Sequence, residues 1–433
     1  MSTALAPAPS AAPSVPRRVV WKFGGSSVAD PEKLRAVARR LVAAHRQGVQ
    51  VVAVLSAMGD TTDDLVRLAY EMAARPQSRE LDALLSVGES VSCALTAMAV
   101  HELGERAISF NGLQAGFRTD DAHGNASLWQ MDPQRVAQAL DDGLIVLVTG
   151  YQGMSAGGDV TTLGRGGSDA SAIALAAALG LRQCDIFTDV TGVFTADPRV
   201  VPGARQLDSL GHEEMLQLAE AGAQVLQTRA VELAAAHEVD IHVRSTFTTT
   251  EGTWIRRGAT VFEQARITGV AHRRRDPVYT VRGLSPATVS GALARRGSAV
   301  GSIIPDTDRL RFTAPGSEVP DVVAALADAG VAVDVRDDLG SVSVVCPAVG
   351  NRPEISARML AALERGGIAP QLVTSTPGRV SAHVGMDLVD RAATLLHDEF
   401  GLDAAPVAPA VPVAPAAPAA LATAGAGGDG ERG

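Results

Sequence analysis

Val19-Val20-Trp21-Lys22-Phe23-Gly24-Gly25-Ser26-Ser27 is the stretch on which the reading of this chain turns. A short apolar run of strand type ends in a Gly-Gly-Ser-Ser turn, and a helix signal follows at once. Asp30 suits the cap of that helix, Pro31 its first position and Gly48 its end, while Leu34, Val37, Ala38, Leu41 and Val42 share one face. Glycines in such a turn let backbone N–H groups approach an anion without a Cβ in the way. Lys22 stands at the strand end beside them. Of 38 basic residues only Lys22 and Lys33 are lysines, so a chain that otherwise uses arginine places a compact, mobile ammonium here. That suits a phosphoryl oxygen better than a rigid guanidinium fork does. Lys33 falls on a solvated helix face.

Working outward, Val/Ile/Leu strands at 50–55, 106–109, 144–149, 183–187 and 240–244 alternate with helices near 31–47, 89–103, 168–179, 212–221 and 224–237. Alternation of this kind predicts a mostly parallel sheet covered by helices on both faces, with ligands at the carboxyl ends of the strands. After about residue 265 the texture changes. Strands at 278–282, 299–304, 309–313 and 331–336 surround helices near 287–296 and 318–328; strands at 341–346, 369–374 and 379–385 surround helices at 353–366 and 387–399. These predict two consecutive α+β units, at 266–337 and 338–402, after a first domain at 18–265. The ends, 1–17 and 403–433, are rich in Ala, Pro and Gly and are read as disordered tails.

Three further loops at predicted strand ends carry chemistry. Thr161-Thr162-Leu163-Gly164-Arg165-Gly166-Gly167-Ser168-Asp169 precedes an Ala-rich helix. Ser168 is a good helix cap and Asp169 favours the helix dipole; Arg165, between glycines, can grip a carboxylate in bidentate fashion. Thr188-Asp189 followed by Phe194-Thr195-Ala196-Asp197-Pro198-Arg199 has the look of a wall for a ribose and base, although Asp-Pro is also a common turn opener. Ser56-Ala57-Met58-Gly59-Asp60-Thr61-Thr62 offers hydroxyls that either bind substrate or cap a helix from Asp63, and spacing leaves both readings open. Glu89 begins a helix, where an acid is favoured in any case. There is no G-x-x-x-x-G-K-[ST] loop, so a nucleotide is held by another design.

The net charge is −10 with no basic stripe, which argues against nucleic acid as a partner. Cys93, Cys184 and Cys346 have neither disulfide nor metal-ligand spacing and are read as small buried hydrophobes; no metal-binding side chains are assigned. No apolar run approaches the roughly 18 residues needed to span a bilayer, and Arg17-Arg18 lacks the apolar region of an export signal. A cytoplasmic protein without membrane partners is the expectation.

Lys-Phe-Gly-Gly-Ser-Ser at 22–27, Ser-Ala-Met-Gly-Asp-Thr-Thr at 56–62, Gln-Ala-Gly at 114–116, Thr-Thr-Leu-Gly-Arg-Gly-Gly-Ser-Asp at 161–169 and Thr-Ala-Asp-Pro-Arg at 195–199 together resemble the aspartate kinases of the amino acid kinase family, over about residues 19 to 400. The resemblance implies an αβα sandwich followed by two ferredoxin-like ACT units, modules that bind effector amino acids and often make dimer contacts, hence a homo-oligomer. It implies transfer of a phosphoryl group from ATP, with Mg²⁺, to the side-chain carboxylate of L-aspartate. By resemblance, Lys22 holds the transferring group, Asp169 orients Lys22, and Gly24 and Gly25 offer N–H groups. Arg165 clamps the substrate α-carboxylate and Glu89 takes its ammonium, with Thr62 and Ser168 nearby. Ser56, Thr188, Asp189, Phe194, Asp197 and Arg199 match nucleotide-side positions.

The chain departs from that pattern in three places. Gln224, in Gly222-Ala223-Gln224-Val225-Leu226, stands where relatives carry a second lysine for the ATP phosphates, with Arg229 five residues on as a substitute. Ala170-Ser171-Ala172 replaces Thr-Thr-Ala, and Thr191-Gly192 replaces Asp-Gly. Gly283-Leu284-Ser285-Pro286-Ala287 and Arg352-Pro353-Glu354 replace the usual effector-loop sequences, so weakened lysine or threonine feedback is expected. Two alternatives accompany the main reading: a kinase for another amino dicarboxylate, and a non-catalytic regulatory subunit that binds an amino acid.

Overall fold

Asp30 caps the first helix by accepting the Lys33 N–H at 2.9 Å, and the elements around the opening stretch form where the pattern puts them. They are β1 (Arg18–Phe23), α1 (Pro31–Arg46) and β2 (Gln50–Leu55). The computed structural model describes residues 17–257, 267–347 and 352–404; the two ends read as disordered tails lie, but for Arg17, Asp403 and Ala404, outside the described residues. The chain continues through α2 (Thr61–Met72), α3 (Ser78–Leu85), α4 (Val87–Glu102) and β3 (Ala107–Phe110). The helical stretch Ser78–Glu102 contains an 18-residue window with mean hydropathy 1.6, long and apolar enough by composition to cross a bilayer, contrary to the sequence reading, but half of that window is buried inside the fold. Cys93, Ala97 and Val100 of α4 pack in one cluster with α1, which is the behaviour of a core helix.

Next come α5 (Gly112–Ala115), β4 (Phe117–Thr119), β5 (Leu128–Met131), α6 (Gln134–Asp141), β6 (Ile145–Thr149), β7 (Gln152–Ser155) and β8 (Val160–Thr162). Strands β5-β4-β7-β8 make a separate sheet absent from the sequence reading. Each is three or four residues long, too short for a period of two to stand out. The first domain closes with α7 (Gly167–Ala178), β9 (Gln183–Thr188), β10 (Ser209–Gly211), α8 (His212–Glu220), α9 (Thr228–Ala236), β11 (Asp240–Ser245) and β12 (Thr253–Arg256). The last helix begins at Thr228 and not near 224: Gly222 takes φ +114° and the chain turns through Gln224.

The main sheet runs β10-β12-β11-β9-β1-β2-β6-β3, parallel except where β12 meets β11. Val51, Ala53 and Leu55 of β2 enter one core with α1 and α4, while Val52 and Val54 enter another with α7. Alternate side chains thus bury both faces, which is why the strand reads as continuously apolar. From β1 the chain builds β2, β6 and β3 to one side and β9 and β11 to the other, so β1 is the switch point where a crevice opens at the carboxyl ends.

The C-terminal part holds β13 (Gly269–Arg273), β14 (Val278–Arg282), α10 (Pro286–Ala294), β15 (Ile303–Pro305), β16 (Arg309–Thr313), α11 (Val319–Asp328) and β17 (Val333–Arg336). It ends with β18 (Leu339–Val345), α12 (Pro353–Arg365), β19 (Leu372–Thr376), β20 (Arg379–Gly385) and α13 (Val389–Glu399). One sheet is β15-β16-β14-β17 and the other β13-β18-β20-β19. The expected boundary at 266 and 337 is therefore corrected: β13 pairs with β18, from Gly269↔Val345 to Arg273↔Ser341, so the first small unit is inserted into the second. Sequence texture carries no sign of a pairing so distant along the chain.

Candidate active site

Lys22 is the penultimate residue of β1, and its ammonium lies 2.6 Å from Asp169 Oδ1, with only 12% and 8% of the two side chains exposed. Asp169 sits in the first turn of α7, whose cap is Gly166 in the left-handed region and not Ser168, which lies buried inside the helix. A Cβ on Gly24 would come within 3.4 Å of Lys22 Nζ, so the glycine turn borders the ammonium. The Gly24 N–H is spent within the fold, donating to Phe187 O at 3.2 Å, and so does not serve as the free donor that the sequence suggested. At Gly25 a Cβ would lie 3.1 Å from Ala57 O and 3.3 Å from Gly59 O, so glycine lets the turn nest against the loop after β2. Ser56, half-buried in that loop, donates its N–H to Phe23 O and accepts the Ser92 hydroxyl at its carbonyl.

On the α4 side Glu89 is 3% exposed. Its Oε1 accepts the Ala57 N–H at 3.1 Å and its Oε2 has no hydrogen-bond partner among the described residues, an orphaned acceptor inside the protein. Burial pushes its carboxyl up to about 7, against the lowering effect of backbone hydrogen bonds. Thr62 is half-buried in the first turn of α2, which starts at Thr61 and not at Asp63. Ser168 packs against Gly150 at the end of β6, where a Cβ would meet its hydroxyl at 2.7 Å. Arg165 is exposed and makes no ion pair or hydrogen bond among the described residues. Its charge reaches Tyr151, as does that of Glu89.

Tyr151 and Asp82 belong to this constellation and escaped the sequence reading. Tyr151 adopts φ +69°, a conformation rarely held by a bulky side chain away from functional sites. Ser171 Oγ accepts its N–H at 3.2 Å and its carbonyl accepts the Leu163 N–H at 2.8 Å, so the residue is locked between α7 and the Arg165 loop. An aromatic in Thr149-Gly150-Tyr151, at the end of an apolar strand, was the available signal. Asp82 is 1% exposed, accepts the Thr162 hydroxyl at 2.5 Å and lies 2.8 Å from His123 Nδ1. It fixes the start of the Arg165 loop from behind.

Across β1, the end of β9 presents Thr188, whose hydroxyl donates to the exposed Asp189 at 3.0 Å. Phe194 bridges to Gln206, and Asp197 is held by Arg199 in a paired contact with the shortest N···O at 2.8 Å. This ion pair holds the Asp197 carboxyl below the usual carboxylate range. Gln224 is exposed in the turn before α9. Arg229 is not its substitute: its guanidinium donates to Leu163 O at 2.9 Å and Ala126 O at 2.8 Å, bracing the Arg165 loop from the rear.

The site thus joins a buried ammonium–carboxylate pair, an orphaned carboxylate oxygen, an unpaired guanidinium and a glycine turn at the carboxyl ends of β1, β2, β6 and β9. Among the described residues no three His, Cys, Asp or Glu side chains gather to hold a metal ion.

The amino acid kinase family model matches residues 17–245. The aspartokinase of Mycolicibacterium smegmatis is 43% identical over 404 residues, covering 89% of this chain and 96% of that one. The aspartokinase of Geobacillus stearothermophilus is 41% identical over 395 residues, covering 89% and 97%. Among solved structures, E. coli aspartokinase III in complex with aspartate and ADP shares the fold with a TM-score of 0.76 at 24% identity, covering 88% of this chain and 99% of that one. The aspartate kinase from Synechocystis aligns at 31% identity with a TM-score of 0.52, covering 90% and 70%.

Proposed function

The chain belongs to the amino acid kinase family, and from that premise we propose that it is an aspartate kinase, moving the γ-phosphoryl group of ATP onto the side-chain carboxylate of L-aspartate. The observation that carries the reading is the buried Lys22–Asp169 pair beside the glycine turn. In this reaction an aspartate oxygen forms a bond to the γ-phosphorus as the bond to the β,γ-bridging oxygen breaks, giving 4-phospho-L-aspartate and ADP. The nucleophile is ionised at neutral pH, so no general base is required. What the protein supplies is alignment and charge. Lys22, steered by Asp169, follows the transferring oxygens; the Gly25 turn flanks them; Thr188, Asp189, Phe194, Asp197 and Arg199 line the nucleotide, with Ser56 at the phosphate end. Mg²⁺ characteristically keeps several waters and binds through substrate phosphates with one or two carboxylates, so a site without a three-carboxylate cage among the described residues fits an ion that arrives with ATP.

Glu89 and Arg165 select the acceptor. The orphaned Oε2 of Glu89 suits the α-ammonium and the unpaired Arg165 fork suits the α-carboxylate, with Thr62, Ser168 and Tyr151 beside them. L-aspartate should therefore exceed succinate, which lacks the ammonium, and a panel of amino dicarboxylates ranked by kcat/KM tests the assignment; equal use of succinate would overturn it.

The pH dependence follows from Glu89. Its protonated form is the stable one in the empty site, so the stability it contributes is present at low pH and lost as pH rises through about 7. Aspartate needs the ionised form. The KM for aspartate should fall about tenfold between pH 6 and pH 8, and Glu89→Gln should flatten that limb while raising KM throughout.

Gln224 brings no charge where the family usually places a second lysine for the nucleotide phosphates. Gln224→Lys should raise kcat/KM for ATP by roughly tenfold or more in steady-state kinetics with aspartate saturating. We also assign the two C-terminal units as ACT-type modules, with homo-oligomer contacts through them, and place the protein in the cytoplasm. The altered loops at Gly283–Ala287 and Arg352–Glu354 support weak feedback by lysine or threonine.

A further inference from the structure

The loop assigned to the nucleotide, between β9 and β10, is built partly into the core of the second C-terminal unit. Ala196 and Val201 are buried in the same apolar cluster as Val342 and Val344 of β18 and Leu396 of α13. Thr195, between Phe194 and Asp197, is held at every polar atom. Its N–H donates to Arg205 O at 2.8 Å and its carbonyl accepts the Val270 N–H from β13 at 2.7 Å. Its hydroxyl accepts the Arg205 N–H at 2.9 Å and meets His397 Nε2 of α13 at 2.9 Å. A Cβ on Gly269 would come 2.6 Å from Thr195 O, so β13 is pressed against this residue. His397 is fully buried and its Nδ1 has no hydrogen-bond partner among the described residues. Among the described residues the Thr195 contact is therefore the single hydrogen bond of a buried imidazole, made to a residue 202 positions away along the chain. Apolar packing alone would be served as well by a leucine in that place.

We propose that His397 is a positioning residue for ATP: by fixing the Thr195 hydroxyl it sets the backbone on which Phe194 and Asp197 face the nucleotide, so that the last helix of the C-terminal unit is part of the nucleotide site. The inference rests on the nucleotide-side assignment given under Proposed function. Neither His397 nor Thr195 is among the residues assigned to the acceptor amino acid, so the two substrates should respond differently.

The test is bisubstrate kinetics on the full-length enzyme. His397→Ala should raise the KM for ATP by roughly three- to tenfold and leave the KM for aspartate within about twofold of the parent. His397→Gln, which can still meet Thr195, should recover most of the loss. If His397→Ala folds poorly, as judged by its melting temperature, Thr195→Val against Thr195→Ser gives the same contrast from the other partner without emptying α13. Equal increases in both KM values, unchanged kinetics, or identical behaviour of the Ala and Gln variants would overturn the proposal. Phe194→Ala in parallel separates the two levels. If it raises the ATP KM while the His397 and Thr195 variants do not, the positioning role fails alone. If it too leaves ATP untouched, the nucleotide assignment has failed.

Discussion

Lys22→Ala should lower kcat by about 10³-fold or more, the scale on which removal of one preorganised charge from an acyl- or phosphoryl-transfer site is felt. The ammonium is the cation placed at the switch point of the sheet, next to the glycine turn, and Asp169 holds it at 2.6 Å. The substitution also strands the Asp169 carboxylate, 8% exposed, without its counter-charge, and breaking such a pair by one partner costs on the order of 3–5 kcal/mol. Loss of activity by unfolding must therefore be separated from loss of catalysis. Lys22→Met combined with Asp169→Asn removes the stranded charge. The double variant should regain most of the melting temperature lost by Lys22→Ala and none of the turnover. Recovery of turnover with stability would mean that Lys22 is structural.

Arg165→Ala should raise the KM for aspartate by about 10²-fold, since hydrogen bonds to a charged group are worth roughly 1.5–3 kcal/mol. Arg165 makes no ion pair or hydrogen bond among the described residues, so its truncation breaks neither there, and the melting temperature should be unchanged. The KM for ATP should stay near its parent value. Arg165→Lys should recover only part of the affinity, because a point charge cannot reproduce a planar fork on a carboxylate. Saturation kinetics in aspartate check this; a fall in kcat at unchanged KM would place Arg165 at the reacting phosphoryl group and leave the α-carboxylate without its partner.

The parts of the fold and site that were legible in the sequence are those written in local chemistry. Asp30, Pro31 and the apolar face of α1 fix a helix from neighbouring residues alone, and the alternation of apolar strands with amphipathic helices fixes a covered parallel sheet. Lys22 and Asp169 were each visible in a glycine-bordered motif; that they pair was implied by the family resemblance and not by the local chemistry of either motif, and the structure sets the two charges 2.6 Å apart. Tyr151 escaped because a positive φ at a tyrosine is imposed by its surroundings and not by its residue type. The turn through Gln224 escaped because Val225 and Leu226 continue a helical apolar pattern, while Gly222, backed against His272 O, turns the chain away. Arg229 looked free in sequence and is committed to two carbonyls in space. The joining of β13 to β18 is a long-range pairing, for which composition has no signature.

The central claim is that this site makes an acyl phosphate on the aspartate side chain and that Lys22 does the charge work. Incubation of the purified protein with Mg-ATP and L-aspartate, followed by hydroxylamine trapping, measures that product directly. Aspartyl hydroxamate should accumulate in step with ADP for the parent protein and be absent for the Lys22→Met, Asp169→Asn double variant. Absence of hydroxamate from the folded parent across nucleotide and aspartate concentrations, or its formation at an undiminished rate by the double variant, would contradict the account.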